Sequence, residues 1–226
     1  MSSERERALV PVLLALTAVT GLIDAASVLG LGRVFTANMT GNVAFLGFAA
    51  AGAPGLSFAR SSAALLAFFL GAVMGGRIAI RAGEGPPRSV AVAFAAEAVL
   101  LLTAMGVAVG AGADLLNVPG RLYAVIALTG LAMGIRNAVV RKLAVPDLTT
   151  TVLTLTITGL AADSPLAGGA GPRWRRRVAS VVCMLAGAAA GAWLVARSVA
   201  LVLAVAGIVT AACALVVLLE GPTNDA

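Results

Sequence analysis

The sequence predicts an all-α fold: a polytopic membrane helix bundle with six crossings and two short half-helix or re-entrant segments, arranged as an inverted repeat. Three observations carry that prediction. The chain is extremely apolar, two short polar-headed segments stand at matching places in its halves, and its basic residues favour one side of the bilayer. Of 226 residues, 60% are hydrophobic and 12% charged, and the mean hydropathy is +1.02, outside the range of soluble domains. Apolar runs near ~20 residues, the length that crosses a bilayer, recur along the whole chain.

Eight apolar segments fall at 8–32, 38–53, 61–80, 89–111, 121–141, 150–163, 178–196 and 198–219. The first follows SSERER, whose mixed charges and long apolar continuation describe an uncleaved span rather than a signal peptide. It contains Gly21 and Asp24. The second is short and is headed by a polar stretch from Phe35 to Asn42. The third carries Gly71 and Gly75, a close-packing face. The fourth holds Glu97, and the fifth holds Gly134, Arg136 and Asn137. The sixth is again short, with a Thr-rich head from Thr149 to Thr156. The seventh follows the Arg173–Arg177 cluster and repeats the small-residue face with Gly187 and Gly191, and the eighth is uninterrupted. These faces suit contact within a protomer or across a homodimer.

Charge decides whether the short segments cross. If all eight cross, the 16 basic residues divide evenly between the sides, which is abnormal for an inner-membrane protein. If the second and sixth do not cross, Arg5, Arg7, Arg77, Arg81, Arg88, Arg136, Arg141, Lys142 and the four arginines 173, 175, 176 and 177 share the side of the N-terminus. Arg33, Arg60, Arg121 and Arg197 remain opposite, so the count is twelve against four. That bias places both termini in the cytoplasm and the chain in the inner (plasma) membrane. With three crossings per half, the second half inserts upside down relative to the first. The single membrane domain 1–226 then divides into a first repeat, 8–112, and a second, 120–219.

Two polar knots interrupt the apolar frame. The first runs GLIDAASVLGLGRVFTANMTGN from Gly21 to Asn42, and the second runs GIRNAVVRKLAVPDLTTTVLTLT from Gly134 to Thr156. Each opens with a Gly followed three residues later by Asp24 or Asn137 and then Ala. Such paired interruptions mark binding sites in transporters built from inverted repeats. The G-x-x-D-A…F-x-x-N-M-T-G-N string, with the later GIRNA and TTTVLT, resembles the YoaK family of small bacterial membrane proteins over nearly the whole chain. That resemblance implies about six spans and supplies no biochemistry, since the family is one of unknown function. Its members carry a second T-G in the later half; here Leu155 follows Thr154.

The available chemistry is narrow. There is no histidine, which removes the commonest acid–base catalyst and metal ligand. Cys183 and Cys213 lie inside apolar runs and read as small hydrophobes. The basic residues are scattered through loops without aromatic interleaving, so the expected partner is the lipid bilayer and not nucleic acid. No cofactor or metal is expected, and no nucleophile stands beside a base, so the chain is not read as an enzyme.

Asp24, well inside the first apolar run, is the first candidate for substrate contact or for proton or ion coupling, because a carboxylate at membrane depth faces an interior or a cavity. Its structural alternative is to partner Arg136 or the Asn38–Asn42 group. Asn38, Thr40, Gly41 and Asn42 head a short helix whose free N–H groups and positive dipole end suit an anion or a polar neutral solute; Asn38 or Thr40 can equally serve only as its cap. Asn137, Thr151 and Thr154 offer an amide and hydroxyls from the second knot, although membrane threonines often just bond the preceding turn. Arg136 is expected to snorkel to the cytoplasm. Glu97 is the second coupling candidate, with no evident counterpart in the other half. The reading that follows is a small secondary transporter of an unknown solute or ion. The alternative is a non-transporting scaffold or lipid-interacting protein.

Overall fold

The computed structural model describes residues 3–81, 86–110 and 112–220. The outer ends of the 1–226 domain and positions 82–85 and 111 of the first repeat lie outside the described residues. Among the described residues all regular structure is helical: α1 (Ser3–Ala25), α2 (Met39–Ala50), α3 (Phe58–Arg81), α4 (Pro86–Val109), α5 (Pro119–Leu143), α6 (Thr154–Ala162), α7 (Trp174–Val195) and α8 (Val199–Glu220). Six of them, α1 with its continuation to Gly30 and α3, α4, α5, α7 and α8, are long and apolar enough to cross a membrane. At ~1.5 Å per residue, the 12 residues of α2 and the 9 of α6 reach only about two thirds and less than half of a ~30 Å hydrocarbon core.

Local chemistry sets the helix ends. Pro119 opens α5, where its missing N–H costs nothing, and Arg141 and Lys142 occupy the last turn, where cations complement the carbonyl end. Helix α1 is not broken at Asp24. It passes directly into a π-helical turn, Ala26–Gly30, and the hydroxyl of Ser27 donates to the carbonyl of Asp24 at 3.1 Å. Such single π turns shift side-chain facing by a fraction of a turn and cluster at functional sites.

Neither short helix crosses. At the far end of α1, Gly32 lies against the guanidinium of Arg60 on α3, and Arg33 lies against Gly55 just before α3. The chain therefore leaves α1 and enters α3 at the same end of the bundle. Between them it dips inward, with Val34, Thr36 and Ala37 buried, before α2 returns along α3. The second half repeats this. Arg176 at the start of α7 donates to the carbonyl of Pro146, and Arg177 bonds Asp147, both just after α5. In between, Leu148, Thr150 and Thr156 are buried.

The crossing helices exchange partners between halves. Helix α3 packs on α5 and α7 packs on α1; α4 packs on α5 and α8 on α1; α4 and α8 pack on each other. Glycines seat the first two pairs. A Cβ on Gly71 would overlap the carbonyl of Leu131, and one on Gly187 would overlap that of Ala18. Gly75 faces Ile135 and Ala138, as Gly191 faces Leu22 and Ala25. Relative to Gly134 and Gly21, the contacted positions are the same: three before, one after and four after. Helices α1 and α5 are the most enclosed of the six and α3 and α7 the least. The outer pair accordingly exposes Leu66, Phe69, Leu70, Leu185 and Trp193, an apolar surface suited to lipid.

Two outcomes follow. Gly71→Ala and Gly187→Ala should each cost ~1–3 kcal/mol through overpacking against backbone that has no room to yield, whereas Gly76→Ala, which meets open space, should be neutral; apparent melting temperatures in detergent distinguish them. In a background lacking Cys183 and Cys213, Arg33→Cys and Arg60→Cys should react with an impermeant thiol reagent from one side of the membrane. Arg81→Cys and Arg175→Cys should react only from the other.

Candidate functional site

The bundle centre is built around Arg136. Its side chain is fully buried and does not snorkel, contrary to expectation. Nη1 donates to the carbonyl of Leu16 at 3.0 Å, and Nη2 to the hydroxyl of Thr20 at 2.8 Å and to the sulfur of Met133 at 3.1 Å. Nη1 also lies 3.3 Å from Oε1 of Glu97, with both side chains at zero exposure. Snorkelling fails because Arg136 lies seven residues before the end of α5, on a face covered by α4. Glu97 stands midway along α4, so its carboxylate has no route to either interface.

Leu16, Thr20 and Asp24 follow at intervals of four on α1 and so form one stripe. Arg136 uses the first two. Asp24 lies a turn further on, within electrostatic reach of Arg136, but Glu97 and not Asp24 is the arginine's contact partner. The Oδ1 atom of Asp24 is buried and has no hydrogen-bond partner among the described residues. From α8, the buried Cys213 belongs to the same apolar core cluster as Leu16 and Phe94. Thr210, one turn earlier, is buried with its hydroxyl unpartnered. Glu97 thus has a polar counterpart 113 residues on, which sequence reasoning missed although the offset between Gly21 and Gly134 points to it.

In the first knot, the remaining candidates are engaged locally. Asn38 caps α2, its Oδ1 accepting from the N–H of Gly41 at 3.3 Å. Asn42 is fully buried and clamps the backbone of Phe35, accepting from its N–H at 3.1 Å and donating to its carbonyl at 2.7 Å. Gly41 leaves room for the Phe35 ring, which a Cβ would approach to 2.7 Å. Thr40 is exposed. Of the first-knot set, then, Asp24 and the buried, unpartnered Thr36 are left with unused polar atoms.

The second knot is closed more completely. Asn137 donates to the carbonyl of Met133 at 2.8 Å and accepts from the hydroxyl of Thr151 at 2.6 Å. Thr154 is exposed and lends its carbonyl to Thr158. Arg177, one of the basic residues heading the seventh segment, fastens this knot to α7. Its Nε pairs with Asp147 at 3.0 Å, and its Nη1 with Asp163 at 2.7 Å and with the carbonyl of Gly159. Arg173 adds a second contact to Asp147, at 2.9 Å. The structure brings Asp24, Glu97 and Arg136 to one centre and Asn137 to Thr151; the two groups meet at Met133, whose sulfur accepts from Arg136 and whose carbonyl accepts from Asn137.

Six membrane-length helices, two non-crossing polar elements and a buried ion cluster define a multi-pass integral membrane protein. The chain belongs to the family described as "Protein of unknown function (DUF1275)", whose model matches residues 12–216. It is also similar to the UPF0700 transmembrane protein YoaK of Bacillus subtilis (strain 168), with 34% identity over 152 residues, 67% of this chain. The match spans 64% of that relative, less than two thirds of its length. No solved structure matches.

The local role of the first-knot amides predicts distinct costs. Asn42→Ala leaves two buried backbone groups of Phe35 without partners and should lower stability by about 2–4 kcal/mol. Asn38→Ala removes one cap bond and should cost about 1 kcal/mol. Denaturation of the purified protein in mixed micelles measures both.

Proposed function

We propose that the chain is a small secondary transporter, not an enzyme, with a polar site at mid-membrane formed by Asp24, Glu97 and Arg136 beside the first knot. One observation carries the reading: a carboxylate in a membrane-length helix, next to a π-helical turn, keeps a buried oxygen without a hydrogen-bond partner among the described residues. Intramembrane ionisable groups that are not merely paired off mark ion and substrate paths. The packing of the halves supports an inverted repeat, since α3 on α5 matches α7 on α1 down to the residues each glycine faces. In this reading α2 and α6 are the two re-entrant elements. The one-sided distribution of basic residues supports a topology with both termini in the cytoplasm.

The alternative, a non-transporting scaffold or lipid-interacting protein, draws on a different fact. Asn38, Asn42 and Asn137 are already satisfied by the local fold, as they would be if the knots merely stabilised short helices. Reconstitution separates the two. The transporter reading predicts that screening proteoliposomes against ion and metabolite gradients finds a flux that Asp24→Asn abolishes, while circular dichroism and monodispersity are retained. The scaffold reading predicts that Asp24→Asn alters stability and that there is no flux to lose.

A further inference from the structure

We infer that Asp24 holds a monovalent cation, a proton or an alkali ion, which completes the charge of the buried cluster; the inference rests on the transporter reading for the site and names what that site carries. The first support is a charge count. The centre holds two carboxylates, Asp24 and Glu97, and one guanidinium, Arg136. Arginine stays protonated in proteins, so with both carboxylates ionised the cluster has one negative charge in excess. An uncompensated charge in a low-dielectric core is strongly unfavourable. A single positive charge balances the cluster, whereas a divalent ion would reverse the imbalance.

Among the described residues, the surroundings supply no second cation. Arg136 of α5 is the cation whose charge reaches Asp24. Its two Nη atoms are engaged by Leu16, Thr20, Met133 and Glu97, while its Nε and both Glu97 oxygens have no hydrogen-bond partner among the described residues. Beyond it lie Glu97 of α4 and Cys213 of α8. Helix α7, which packs on α1, has its basic residues near its start, at Arg175 to Arg177, with Arg197 just beyond its end.

The second support is the difference between the knots. Thr36 and Thr150, 114 residues apart, are both buried with unpartnered hydroxyls, and Asn42 and Thr156, also 114 apart, are both buried. In that alignment Thr151 corresponds to Ala37. Thr151 donates to Asn137 and closes the second knot; Ala37 has no donor to offer Asp24. The first knot therefore keeps a charged acceptor open where the second has a neutral, satisfied amide. Thr36 brings a second unused oxygen to the same knot, and oxygen donors suit a proton or a hard cation.

The test uses the full-length protein in detergent, its apparent melting temperature followed against sodium chloride and potassium chloride, with choline chloride holding ionic strength constant, at pH 5.5 and 8.5. A saturable rise with sodium or potassium at pH 8.5 identifies an alkali ion, and a rise on acidification alone identifies the proton. Either supports the inference if Asp24→Asn loses the response. Ala37→Thr, which gives the first knot the donor of the second, should weaken the apparent affinity at least tenfold. Indifference of the wild-type protein to both ions and to pH would overturn the inference, as would an undiminished response in Asp24→Asn or, where that variant fails to fold, in Ala37→Thr. A cation response without flux in liposomes would defeat the transporter reading and leave the site standing. An Asp24-dependent flux without any cation response would do the reverse.

Discussion

The ion pair between Arg136 and Glu97 is the contact on which the bundle's arrangement turns. A guanidinium in the hydrocarbon region costs several kcal/mol on insertion scales, and a buried pair is stable only when further hydrogen bonds satisfy its donors. Here Leu16, Thr20 and Met133 take three of the hydrogen bonds and Glu97 supplies the countercharge, while Nε of Arg136 and both Glu97 oxygens have no hydrogen-bond partner among the described residues. One side chain of the second half is thereby tied to two helices of the first. Helix α5 cannot turn about its axis without orphaning that charge, so its glycine face is held toward α3 and Asn137 toward Thr151. Asp24 is left near a guanidinium whose two Nη atoms are engaged elsewhere, and its Oδ1 has no hydrogen-bond partner among the described residues.

The same constraint explains why the small residues stand where they do. With apolar side chains facing apolar lipid, no hydrophobic drive pulls membrane helices together, and close backbone approach substitutes for it. Gly71 and Gly75 on α3, and Gly187 and Gly191 on α7, bring each outer helix onto the enclosed helix of the other half. The two seats are alike to the residue, so the outer helices clamp a centre whose polar content is unlike: Asp24, Thr20 and Glu97 on one side, Asn137, Met133 and Thr210 on the other. A nearly symmetric frame thus holds an asymmetric cluster of charge.

Much of this architecture was legible in the sequence. The six crossings followed from apolar length and from the positions of the arginines, and the short segments at 38–53 and 150–163 appear as α2 and α6. The paired glycines announced close packing. Their partners did not, because a stripe of small residues carries no address; only the fold shows that each helix packs across the halves. Arg136 was misjudged because distance from a helix end suggests snorkelling, whereas burial depends on which helix covers that face. Arg177 was hidden within a run of arginines, and its partners Asp147 and Asp163 lie 30 and 14 residues away in sequence, with no spacing that points to them. Asp24 was visible at once, since a carboxylate in an apolar run is its own signal. Its counterpart Asn137 is satisfied by Thr151, while Oδ1 of Asp24 has no partner among the described residues, and no periodicity reveals that difference.

A double-mutant cycle on Glu97→Leu and Arg136→Met tests most directly whether this buried pair organises the bundle. Removing either partner alone should cost about 3–5 kcal/mol, because the other charge is left without compensation. The double variant should be more stable than either single one, giving a coupling energy of at least about 2 kcal/mol by unfolding in mixed micelles. Strictly additive losses, or single variants as stable as the wild type, would show that the two residues do not depend on each other and would contradict the account.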